Sequence, residues 1–138
     1  MTDLSGGRRF WLGGELLSVE WSWSDETPWD YQNWEPGQPS GGEDCIEMLP
    51  PQWKWNDRGC NNIGHTLGYV CKSLQIVSSA TTTVTTPPTT TATTTATVTC
   101  PVGWSQFGGE CYKYFENSVK WDDAREHCLS EEVVICLD

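Results

Sequence analysis

Hydrophobic residues along this chain come in short runs separated by long polar gaps. Phe10-Trp11-Leu12 is one apolar run, and Glu20-Trp21-Ser22-Trp23-Ser24 alternates indole and polar side chains. A period of two puts alternate side chains on opposite faces and predicts strands. Cys45-Ile46-Glu47-Met48, Trp53-Lys54-Trp55 and Gly68-Tyr69-Val70-Cys71 predict three more. Between residues 25 and 42, Pro28, Pro36, Gly37, Pro39, Gly41 and Gly42 interrupt any regular element and predict a long loop. Residues 100–114 predict a hairpin that turns near Gly108-Gly109. Asn117 or Ser118 is placed to cap a helix reaching about Cys128. Asp122 and Asp123 fall near its start, and Trp121, Ala124 and Cys128 fall on one face. The tail, residues 131–138, fits neither period.

Composition divides the chain into three parts. Residues 1–75 are rich in Trp, Gly and acids. Residues 76–99 are a low-complexity Thr, Ala and Pro segment without charge or large aromatic residues, so they cannot build a core. That composition predicts a mucin-like linker. Residues 100–138 return to a globular composition.

The formal net charge is −11 and the isoelectric point about 4.4. Both disfavour nucleic acid and anionic membrane as partners, because those attract Lys and Arg. Seven cysteines in 138 residues, with no C-x-x-C pair and only His65 and His127 to supplement them, point to disulfides rather than zinc. Disulfides imply a secreted or extracellular setting. No stretch is long and apolar enough to span a bilayer, and the first residues lack the apolar core of a secretory signal. The simplest reconciliation is a fragment, or a true start that lies upstream. Nine Trp residues are expected mostly in the core, with Trp29 and Trp53 the expected exceptions.

These residues match a family in order. Phe10-Trp11-Leu12-Gly13 resembles the WIGL strand of C-type lectin-like domains. Trp23-Ser24-Asp25, Asn33-Trp34, Glu43-Asp44-Cys45, Trp55-Asn56-Asp57, Cys60 and Gly68-Tyr69-Val70-Cys71 follow as in the C-terminal half of that domain. Cys100-Pro101, Gly103-Trp104, Cys111-Tyr112, Trp121, Ala124 and Cys128 resemble its N-terminal half. The resemblance implies an α+β fold of short antiparallel strands, a long irregular loop and one helix, braced by disulfides. The halves stand in inverted order, so the domain is split or circularly permuted. A piece cut from a tandem array is the favoured explanation. In a permutant, Cys71 and Cys128 would complete each other.

Six cysteines allow fifteen pairings, and spacing does not choose among them. The resemblance implies Cys45–Cys60 and Cys100–Cys111, with Cys71–Cys128 conditional on permutation and Cys136 left over, free or intermolecular. Disulfide-linked or tandem-domain assembly is therefore open. The resemblance also implies a Ca²⁺ site. Counting from Asn33-Trp34, the site motif falls on Gln38-Pro39-Ser40, with Pro39 as the cis-proline, and the remaining ligands fall on Glu43, Asn56 and Asp57. Asp44 serves an auxiliary ion or the surface. The same five residues, Gln38, Ser40, Glu43, Asn56 and Asp57, are the expected sugar contacts. Mannose-type members carry EPN and galactose-type members QPD, so QPS leaves the sugar open. It also leaves two carboxylates, Glu43 and Asp57, and fewer charges weaken Ca²⁺ binding.

The implied function is a calcium-dependent carbohydrate-binding module whose partners are glycans or glycoproteins. The alternative is a lectin-like protein-interaction module with weak or no calcium and sugar binding. An enzyme is disfavoured. The sequence offers no nucleophile–base–orienter set and no Gly-rich phosphate loop between strand and helix.

Overall fold

The computed structural model describes residues 5–73 and 100–131, together with the backbone of 133–135. The linker predicted over 76–99 and the leftover Cys136 lie outside the described residues. The chain first lays down β1 (Phe10–Leu17), β2 (Glu20–Trp23), β3 (Cys45–Leu49), β4 (Lys54–Arg58) and β5 (Leu67–Ser73). After residue 100 come β6 (Ser105–Phe107), β7 (Glu110–Val119), α1 (Trp121–Ser130) and β8 (Val133–Ile135). All eight strands join one sheet in the order β4-β3-β1-β5-β7-β6, with β2 on β1 and β8 on β5. Pairing is antiparallel except between β1 and β5.

Alternation along the central strands creates two cores. Trp11, Tyr69 and Cys71 face α1 and pack with Trp121, Ala124 and Cys128. Phe10, Leu12 and Val70 face the other way and pack with Trp23, Ile46, Met48, Trp55 and Tyr112. Both faces of the sheet are therefore dry at Phe10–Leu12 and Tyr69–Cys71, unlike a sheet with one wet side. Trp11, Trp23, Trp55 and Trp121 are at most 3% exposed. Trp21, Trp29, Trp34, Trp53 and Trp104 pack against the two clusters from the rim.

Residues 5–73 and 100–135 complete one another through β5, which pairs with both β7 and β8. The Cys71–Cys128 bond ties β5 to α1 within one chain. Lys72 and Asp25 form a buried ion pair at 2.7 Å, and Glu110 from the second part approaches Lys72 at 3.5 Å. Ser73 stands opposite Cys111, whose Cα lies 5.4 Å from that of Cys100. Ser73 and Cys100, the described residues that flank 74–99, therefore lie within about 11 Å of each other.

The helix starts later than its sequence predicts. Asn117 and Ser118 belong to β7, which continues to Val119 opposite Leu67. Lys120 is the N-cap residue and makes no side-chain cap bond. Tertiary partners set the boundary instead. The Trp121 N–H donates to the Cys60 carbonyl at 3.1 Å, and the Val119 carbonyl accepts from Trp11 Nε1 at 2.9 Å. Strand pairing has overridden a local capping preference. The tail, which fits no period, supplies β8.

Candidate functional site

The loop between β2 and β3 is bound to β4 at Trp55 and at Asp57, and its far end is fixed to neighbouring residues. Its middle is zipped to the strand by backbone bonds: Trp55 N–H to Asn33 O at 2.9 Å and Glu35 N–H to Trp55 O at 2.8 Å. The Asn33 amide adds a bond to the Trp53 carbonyl at 2.8 Å and accepts from Lys54 Nζ. A turn then closes by Gln38 N–H to Glu35 O at 2.9 Å, with Gly37 at φ 89°, where an L side chain would be strained. The Gln38–Pro39 peptide that follows is cis.

Asp57 fastens the next part. Its carboxylate accepts from Ser40 N–H and Gly41 N–H, each at 2.9 Å, and from Ser40 Oγ at 3.2 Å. Asp57 is fully buried, and these donors replace the water it has lost. The far end is fixed by Gly59 N–H donating to Glu43 Oε1 at 2.9 Å, by Leu16 N–H donating to Asp44 O at 2.8 Å, and by the Cys45–Cys60 bond.

The five residues singled out from the sequence are therefore placed unequally. Ser40 and Asp57 touch. Glu43 reaches the backbone just beyond Asp57. Gln38 Oε1 is buried and has no hydrogen-bond partner. Asn56 is held by partners of its own on β3 and β4. Its Nδ2 donates to Glu47 Oε1 at 2.9 Å and to the Asp57 carbonyl at 2.7 Å. Asp44 is exposed. Among the described residues, no three His, Cys, Asp or Glu side chains gather closely enough to form a metal cluster.

Glu47 is the residue that sequence reasoning missed. It is fully buried on β3 opposite Asn56, and its Oε1 also faces Arg9 at 3.5 Å and Arg58 at 3.4 Å. Its Oε2 is buried without a partner. In the sequence it looks like the polar member of an alternating strand. Only the β3–β4 register reveals what it meets.

A hard cation takes oxygen ligands from carboxylates, amides and carbonyls. Gln38, Glu43, Asn56 and Asp57 offer ligands of that kind, and the orphaned Gln38 oxygen lacks the positive partner that a buried acceptor requires. The donor chemistry therefore fits Ca²⁺. It fits with two carboxylates, one of them already engaged by three protein donors.

A disulfide-braced mixed sheet with one helix and a long stapled loop is the architecture of C-type lectin-like domains. Residues 2–73 match the family described as Lectin C-type domain, just over half of the 138-residue chain, and the chain belongs to that family. It is 31% identical to human lymphocyte antigen 75 over 126 residues, covering 86% of this chain and 7% of that protein. It is 32% identical to human C-type mannose receptor 2 over 124 residues, covering 86% and 8% respectively. It is 29% identical to the bovine secretory phospholipase A2 receptor over 133 residues, covering 91% and 8%. The chain thus spans less than a tenth of the length of these relatives.

Proposed function

We propose that this chain provides a calcium-dependent carbohydrate-binding module of an extracellular protein. The observation that carries this reading is Gln38 Oε1, a buried acceptor without a donor, in a loop held against Asp57 through Ser40 and Gly41. Gln38, Glu43, Asn56 and Asp57 would hold the ion, and bound Ca²⁺ would supply direct coordination of two neighbouring sugar hydroxyls. Ser40 Oγ and the remaining carboxylate oxygens would donate to and accept from those hydroxyls and so fix the sugar's orientation. The disulfide at Cys45 and the bonds from Ser40 and Gly41 to Asp57 hold the loop in place. Three disulfides and relatives named as receptors support the extracellular setting.

Isothermal titration with CaCl₂ is expected to give a Kd of roughly 0.1–1 mM, the range of extracellular modules. Asp57→Ala should abolish that heat, and glycan-array binding should vanish in EDTA. Sugar binding that survives EDTA overturns the reading.

The engaged carboxylate of Asp57 favours a second reading. Ser40 and Gly41 fasten the loop to Asp57 through the protein's own donors, which suits a protein-interaction module. One relative is named for a sugar and another for a secreted protein. A double Asn56→Ala, Asp57→Ala variant that still binds a protein partner would decide for this second reading.

A further inference from the structure

The geometry points to Glu47 as the positioning residue that sets the amide of Asn56, an inference that rests on the calcium reading above and adds a residue to it. An Asn side chain presents an oxygen to a cation only if its amide is held in the right one of two flips. At this site the choice is made by acceptors. Asn56 Nδ2 spends its two hydrogens on Glu47 Oε1 and on the Asp57 carbonyl, at 2.9 and 2.7 Å. Both partners are acceptors only, so the amide nitrogen must lie toward them, and the amide oxygen is the end left for a ligand.

Glu47 is held firmly enough to impose that choice. It is fully buried, sits opposite Asn56 in the β3–β4 register, and receives Arg9 and Arg58 on the same oxygen that Asn56 uses. The two guanidinium groups also explain why Glu47 is not a ligand itself. A divalent ion at Oε1 would stand beside two positive charges, whereas Asn56 carries the effect outward without bringing the ion near them. Outer partners that fix a ligand's orientation commonly change metal affinity 10–100-fold when removed. The buried Oε2 has no partner, so an amide nitrogen in its place would break no bond.

Two near-isosteric variants test this. Glu47→Gln keeps an oxygen to accept from Asn56, while Glu47→Leu fills the space without one. Ca²⁺ titration should show Glu47→Gln within about threefold of wild type and Glu47→Leu weaker by about 10–100-fold. Both variants must first show three disulfides by mass and the wild-type near-UV circular dichroism. Equal affinity of Glu47→Leu and wild type, or equal loss in both variants, overturns the role. If wild type binds no Ca²⁺, the calcium reading falls and the ion-free protein decides on Glu47 alone. The Asn56 side-chain NH₂ resonances should be protected from exchange in wild type and Glu47→Gln, and should lose protection in Glu47→Leu. Unchanged protection in Glu47→Leu overturns the positioning role.

Discussion

Tyr69 shows how one buried residue links pH to stability. It is 2% exposed, stacks on Phe115 with centroids 5.1 Å apart, and meets the edge of His127 at 5.6 Å. Burial pushes its phenol above the ordinary value of 10.0, and the Glu131 carboxylate pushes in the same direction. The folded state therefore favours the neutral phenol. Its contribution is complete below pH 10.0 and is lost as pH rises through the raised folded value. Urea unfolding should show wild type losing stability above about pH 10 more steeply than Tyr69→Phe. Parallel pH profiles would refute this. That Tyr69 lies on a strand was legible in Gly68-Tyr69-Val70-Cys71. That Glu47 anchors Asn56 was not, because cross-strand partners depend on a register that a single strand does not encode.

At the scale of elements, β5 is paired along both edges, with β7 on one and β1 and β8 on the other. Gly68 sits where the β5–β7 register shifts, between Leu67 and Tyr69. A Cβ there would lie 2.8 Å from the Phe115 carbonyl oxygen and would also strike the Tyr114 ring. The first of these is backbone and cannot swing aside. Gly68→Ala should cost about 1–3 kcal/mol, as overpacking does, and lower the melting temperature by at least about 4 °C. Scanning calorimetry checks this, and an unchanged melting temperature would contradict the close strand approach. The predicted strands were found because alternating indole and aliphatic residues announce them. The helix start was misplaced because Asn117 and Ser118 look like caps locally, while Leu67 and Cys60, distant in sequence, decide where the strand stops and the helix begins. In the loop, prolines and glycines announced irregular structure. The partner of Asn56 followed from the β3–β4 register, which the motif Trp55-Asn56-Asp57 does not show.

At the scale of the molecule, the two parts supply complementary pieces of one sheet. On the chain-entropy account, closure by Cys71–Cys128 contributes about 4 kcal/mol, against about 3 for each of the shorter rings. A connector whose ends lie side by side gives an effective concentration in the mM range. Pairing within one chain should therefore outcompete exchange between copies at micromolar protein. Non-reducing peptide mapping is expected to recover Cys71–Cys128 from a species that elutes as a monomer. The same crosslink recovered between two chains would show exchange instead. The inverted order was plain from the motifs, but the closing of the two parts on each other was not, since a tandem array and a permuted domain present the same string of residues.

The Cys71–Cys128 bond, with its sequence separation of 57, also has a mechanical consequence. Tension applied at the two ends of the chain would pass from β5 to α1 through a pair of sulfur atoms. Everything threaded between them, including the Thr-rich segment and β7, would be bypassed and carry no load until that covalent shunt is reduced.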